Sequence, residues 1–290
     1  MQRNPHRFDR IQSILNTLNK VEISLILILV FFGVIGGFIS GLLGVGGGIV
    51  FVPVLSSALI YLGYEDPELS KYILANSFAA TFFAGAISSY KQYKLNAFLP
   101  KEILFTCMTA VPSSILLSYL IANGSWYDKA SFSIFFIFLL VLMLVKFLYK
   151  SNTSVSDETN PPLSKFALTG LLTGVISGLS GLGGGVIMIP LFTQFLKMGI
   201  KKSASISIGV IPVMMIPMIL LYGSYDLISY EGSHFGYLLP ILFLPLVGGL
   251  LFAAPLGVSI GQKSSRKRLK IIFAILIVVV IIKTTGNIIS

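Results

Sequence analysis

Residues 33–55 read GVIGGFISGLLGVGGGIVFVPVL, and residues 170–192 read GLLTGVISGLSGLGGGVIMIPLF. The two stretches align without a gap at an offset of 137, with 11 of 23 positions identical. The identities are Gly33/Gly170, Gly37/Gly174, Ile39/Ile176, Ser40/Ser177, Gly41/Gly178, Leu42/Leu179, Gly44/Gly181, Gly46/Gly183, Gly47/Gly184, Gly48/Gly185 and Pro53/Pro190. An apolar composition alone gives scattered Leu or Gly matches, not this order, so the chain reads as a fused duplication. The polar stretch SNTSVSDETNPPLSK (151–165) is the natural divide. It leaves a basic N-terminal segment at 1–22, a first repeat at 23–150 and a second at 166–290.

Around the repeated stretch the chain is built for lipid. Of 290 residues 55% are hydrophobic and only 11% charged, against about a quarter charged in soluble domains. Apolar stretches long enough for a ~30 Å hydrocarbon core fall near 23–43, 72–90, 103–121, 130–149, 166–182, 204–223, 237–260 and 269–289, and all 11 acidic residues lie outside them. Shorter apolar stretches at 49–62 and 186–196 follow the glycine clusters. The fold class is all-α, a polytopic helical membrane protein. The net charge of +10 does not imply nucleic acid, because the basic residues sit in short loops where they set topology. Phe8, Ile11, Ile14, Leu15, Leu18 and Val21 recur at helical spacing beside Arg3, Arg7 and Arg10, which predicts an amphipathic helix on the bilayer surface. The lone Cys107 excludes an intramolecular disulfide and a cysteine metal site; no metal or cofactor is implied.

Loop charge predicts orientation. Loops around Lys91, Lys94 and Lys101, around Lys197, Lys201 and Lys202, and from Lys263 to Lys270 are basic; those with Glu65, Asp66 and Glu68, and with Asp226 and Glu231, are acidic. Cytoplasmic loops carry the Lys/Arg excess. On that rule segment 166–196 starts and ends on the cytoplasmic side, so it enters the membrane and returns, with the glycine cluster as its turning point. The same hairpin in the first copy puts 63–70 outside and makes the two repeats inverted. Against this, Arg3, Arg7, Arg10 and Lys20 would then lie outside; an N-inside alternative removes that conflict but makes the copies cross differently.

Non-helical backbone at membrane depth is tolerated only where protein buries it or a wet cavity meets it. The clusters 41–48 and 178–185 should break their helices, since glycine takes positive φ without penalty and admits close approach. A half-helix starting at Ile49 or Val186 would present free amides and a partial positive charge to an anion, as in several secondary transporters. The candidate substrate site is therefore Gly44, Gly46, Gly47, Gly48, Gly181, Gly183, Gly184 and Gly185, with the uncharged donors Asn76, Ser77, Ser205 and Ser207. Ser40, Ser177, Ser180, Thr81, Gln194 and Ser203 lie nearby, and the register between 76–77 and 203–207 is open. The plainer alternative is that such glycines serve helix packing and that each serine bonds its own i−4 carbonyl. GVGGG is neither a dinucleotide fingerprint nor a P-loop. No Asp, Glu, His or Arg lies within a span; Lys146 and Lys283 sit near span ends, and His6 and His234 are solitary. An enzyme at the lipid boundary would need such groups, so the reading is a transporter with no catalytic residues.

SGLLGVGGGIVFVPVL repeated as SGLSGLGGGVIMIPLF resembles the sulfite exporter TauE/SafE family, over about 24–289. The resemblance implies a multi-pass protein of the cell inner (plasma) membrane that exports small sulfur-containing anions such as sulfite or sulfoacetate. Related members are assigned other organic anions. Where the family tends to show Ala-Thr-Ser-Leu, this chain has Ala75-Asn76-Ser77-Phe78, and SASIS at 203–207 has no clear match. The partners implied are a small anion and the lipid bilayer, with a homo-oligomer left open.

Overall fold

The computed structural model describes residues 5–64, 68–148, 161–225 and 235–289, leaving aside the side chains of 5–22, 143, 146–148, 266, 270, 273, 283 and 285–289. The amphipathic face expected in 1–22, Glu65, Asp66, Asp226, Glu231, His6, His234, the side chains of Lys146 and Lys283, and most of 151–165 lie outside the description.

The described chain is helical throughout, with one isolated bridge between Phe235 and Leu238. The elements are α1 (Pro5–Leu43), α2 (Gly48–Tyr61), α3 (Leu69–Lys94), α4 (Pro100–Asn123), α5 (Lys129–Leu148), α6 (Leu163–Ser180), α7 (Gly185–Pro190) with a π turn (Leu191–Phe195), α8 (Ile200–Gly223), α9 (Pro240–Lys263) and α10 (Arg266–Ile289). Among the described residues six helices are long and apolar enough to cross a membrane. Most expected span boundaries shift by a few residues, two of them at glycines. Gly181 takes φ 71 and caps α6, so the span expected to reach 182 ends at Ser180. The span expected from 237 starts at Pro240, because Gly236 at φ 55 turns the preceding segment.

α1 and α2 form a hairpin. Ser24, Leu25 and Ile28 near the start of the α1 span line one groove with Ser57, Ala58 and Tyr61 at the end of α2. In the second half Lys165 lies 5.9 Å from the Phe195 ring and Phe166 lies 5.8 Å from Phe192, so α6 and the α7–π segment also double back. α1 packs most closely on α9 and α4 on α6, α3 crosses α8, and α5 lies along α10.

Between helices surrounded by lipid, association relies on close backbone approach rather than on a hydrophobic drive. The repeated identities supply it. Gly33, Gly37 and Gly41 recur every four residues and meet Leu246, Leu250 and Ala254 of α9, while Gly170, Gly174 and Gly178 meet Thr106, Ala110 and Ser114 of α4. A Cβ at any of these would press on the opposing helix, in most cases on a carbonyl. The matched glycines thus divide into two groups: those ahead of the break pack helices, and those within it turn the chain.

Candidate functional site

The two breaks have the same backbone. Gly44, Gly46 and Gly47 take φ of 79, 81 and 79°, and Gly181, Gly183 and Gly184 take 71, 72 and 75°. A residue with a Cβ is disfavoured at each of these positions. Gly44 N donates to Ser40 O at 2.8 Å, and Gly181 N to Ser177 O at 3.0 Å. The next helix opens with Val50 N donating to Gly47 O at 2.9 Å, and with Ile187 N donating to Gly184 O at 3.0 Å. Neither opening helix has a side-chain cap. The amides ahead of these bonds, on Gly48 and Ile49 and on Gly185 and Val186, have no intrahelical acceptor, so each break offers two N–H groups.

The breaks cross each other. A Cβ built on Gly48 would stand 2.7 Å from the Leu182 Cα, and one on Gly185 would stand 2.8 Å from the Val45 Cα and 2.7 Å from the Gly44 carbonyl oxygen. Two serines tie the crossing reciprocally. Ser77 Oγ donates to Gly181 O at 2.7 Å, and Ser207 Oγ donates to Gly44 O at 2.7 Å. Each therefore reaches the break of the other half. This fixes the open register: Ser77 corresponds to Ser207, and Asn76 to Ile206.

All eight predicted glycines and both of these serines come together. Asn76 and Ser205 do not join them. Asn76 Nδ2 donates to Tyr72 O at 2.8 Å and Tyr237 O at 3.1 Å, while its Oδ1 accepts from Leu239 N at 2.8 Å. Its amide thus clamps the 237–239 segment onto α3. Around that clamp Tyr72, Tyr222 and Tyr225 have ring centroids 5.1, 6.0 and 5.6 Å from Tyr237. Tyr237 also donates to Glu68 at 3.1 Å. Burial pushes the Tyr237 phenol upward and Glu68 adds to the shift, so it stays a donor. Ser205 is buried near the opposite end of the bundle, accepting from Gln262 Nε2 at 3.4 Å.

Sequence reasoning named Ser40, Thr81 and Ser177 as polar groups near the breaks and left out Thr173. Ser40, Thr81, Thr173 and Ser177 are buried without a hydrogen-bond partner, although Ser57 and Ser203 do bond their i−4 carbonyls. The Thr81 methyl faces Gly46 and Gly183 across the crossing, and the Thr173 methyl and Ser177 Cβ face Gly184. The matched pair Ser40/Ser177 was visible in the alignment. Thr173 was not, because its counterpart is Gly36. Among the described residues no cluster of His, Cys, Asp or Glu has metal-binding spacing.

The model of the family described as sulfite exporter TauE/SafE matches residues 29–284. A protein of Methanocaldococcus jannaschii named a probable membrane transporter is 27% identical over 260 residues, covering 88% of this chain and 94% of its own. One of Haemophilus influenzae, also named a probable membrane transporter protein, is 28% identical over 273 residues, covering 89% and 97%. The probable membrane transporter protein YunE of Bacillus subtilis is 24% identical over 271 residues, covering 87% and 94%. With both glycine breaks inside the matched span, the chain belongs to the sulfite exporter TauE/SafE family.

Proposed function

We propose that this multi-pass membrane transporter exports small sulfur-containing anions (sulfite, sulfoacetate or a similar organosulfonate) across the cell inner membrane, binding them at the glycine crossing. The observation that carries the reading is the crossing itself: two amide-rich breaks, tied by Ser77 and Ser207, with unpartnered hydroxyls beside them. Amides and hydroxyls suit the oxygens of an oxyanion.

The transport path follows from two inverted halves, a reading supported by the hairpins. If α1–α2 and α6–π each return to the face they left, α3, α4 and α5 then carry the chain across, and α8, α9 and α10 carry it back. The loops sort by charge on that path. Lys91, Lys94, Lys101, Lys197, Lys201, Lys202 and the 263–270 cluster share one face with Glu102, while the other carries Glu68 and Asp128 beside Lys71 and Lys129. The basic face is cytoplasmic. A negative interior then favours an anion leaving by about 2.3 kcal/mol per charge per 100 mV.

The test is sulfite efflux from proteoliposomes with and without an imposed potential, with sulfoacetate, sulfate and acetate as competitors. Saturable sulfite flux that follows the potential is expected. No sulfite flux from correctly inserted protein, with another anion moving instead, would keep the carrier and discard the substrate.

A further inference from the structure

At the second break three side chains surround Gly183–Gly184: Thr81 from α3 and Thr173 from α6 touch it through their Cγ2 methyls, and Ser177 from α6 through its Cβ. Each is fully buried, and each hydroxyl lacks a partner. A buried hydroxyl without a partner carries a desolvation penalty, so three carried by the side chains around one turn suit a ligand that accepts hydrogen bonds. The charge of that ligand is constrained by what surrounds it. On α3, α4, α6 and α8 the ionisable groups outside the first and last turns are the thiol of Cys107 and the phenols of Tyr90 and Tyr119, none of which becomes cationic. The lysines of α3, α4, α6 and α8 (Lys71, Lys91, Lys94, Lys101, Lys165, Lys201 and Lys202) all lie in first or last turns.

Neutral donors can replace part of an ion's hydration, but they do not neutralise it. The Born cost of removing an ion from water rises with the square of its charge, so a site of hydroxyls and amides rejects a dianion far more strongly than a monoanion. Resting on the proposed sulfur-anion export, we propose that the Thr81–Thr173–Ser177 cluster makes this carrier selective for singly charged oxyanions. Hydrogen sulfite and sulfonates pass; sulfite dianion and sulfate do not. Sulfite then crosses with its proton attached and releases it on the far side.

The experiment compares, in proteoliposomes of the full chain, methanesulfonate (a fixed monoanion), sulfate (a fixed dianion) and sulfite, whose last proton leaves near neutrality. Methanesulfonate flux should be flat with pH and sulfate flux absent. Sulfite flux should fall about tenfold per pH unit once hydrogen sulfite becomes the minor form. Sulfate movement, or sulfite flux that rises with pH, overturns the proposal. If no sulfur anion moves, acetate against malonate decides: acetate alone moving keeps the charge rule and removes the substrate assignment, while malonate moving, or neither, removes both.

Thr173→Val and Thr81→Val supply the residue test. Both keep side-chain shape and remove a hydroxyl that bonds nothing in the protein, so the melting temperature should be unchanged or higher. Methanesulfonate flux should drop about tenfold or more, and Thr173→Ser should restore it. Equal loss of flux and melting temperature would show that the threonines only pack.

Discussion

The first break and the second share a backbone and differ in what lies against it. Gly47 faces the ring of its own Phe51 and the carbonyl of Gly36, whereas Gly184 faces Thr173, Ser177 and Met214. The two breaks thus keep the same turn while the side chains against them differ. The turn is what the crossing geometry demands of both halves; the polar lining is needed only once. The backbone is alike at the two breaks, and more of the unpartnered hydroxyls stand at the second.

The most severe way to break that comparison is to add bulk where the turns touch. Gly48→Val and Gly185→Val each place side-chain atoms against the opposite break's backbone, which cannot rotate away as a side chain does. The cost should exceed the ~1–3 kcal/mol of ordinary overpacking, about 4 kcal/mol or more. Sulfite flux and folded yield after membrane insertion should be lost in both. One tolerated and one lethal variant would mean that the breaks are not structural equivalents.

A second contrast lies between Asn76 and its counterpart Ile206. Only the first half has an amide there, and only the second half has the long 224–239 connection that it clamps. Asn76→Ile would leave the Leu239 N–H and the Tyr237 carbonyl buried without that partner. At ~1–3 kcal/mol for each such group, the loss should be about 2–3 kcal/mol, read as a lower melting temperature and faster hydrogen exchange at 237–239. Because the clamp lies away from the glycines, anion selectivity should not change. Altered selectivity in Asn76→Ile would instead return Asn76 to the substrate site.

Ser77→Ala and Ser207→Ala sharpen the symmetry itself. Each removes one 2.7 Å bond to a glycine carbonyl in the other half, so each should cost about 1 kcal/mol, and the two losses should match. Unequal melting shifts would show that one tie is redundant.

This pairing also marks the limit of what the residues disclosed. The breaks were legible: short apolar stretches at 49–62 and 186–196 correspond to α2 at 48–61 and to α7 with its π turn at 185–195. Three glycines in a lipid-facing chain leave few other conformations, so local sequence decides there. The helices that follow were not legible in register. The offset of 137 at the breaks becomes 130 at Ser77/Ser207, because α2 and the connection after it are each longer than their counterparts. Asn76 shows a related limit. A buried amide must find partners, but the sequence does not say whether these are a substrate or a backbone segment 161 residues away. The hydroxyl cluster needed tertiary structure too, since only the fold brings Thr81 to Thr173.

The smallest effect separates the two lateral helices, α5 and α10. Asp128 precedes α5 and its carboxylate accepts from Ser131 N at 2.9 Å, which holds its pKa below the usual carboxylate value. A depressed folded pKa stabilises the folded state above the unfolded value, and the contribution disappears as pH falls through the folded one. The first turn of α5 should therefore fray in acid, below the ordinary carboxylate range, and not near neutrality. Amide exchange at 131–132 relative to that at the α10 start, compared between pH 3 and pH 6, would show it. Asp128→Asn keeps the capping acceptor without a titrating group, so it should remove the pH dependence while keeping the turn. If acid frays the asparagine variant equally, the pH effect on α5 arises elsewhere and the aspartate is only a cap.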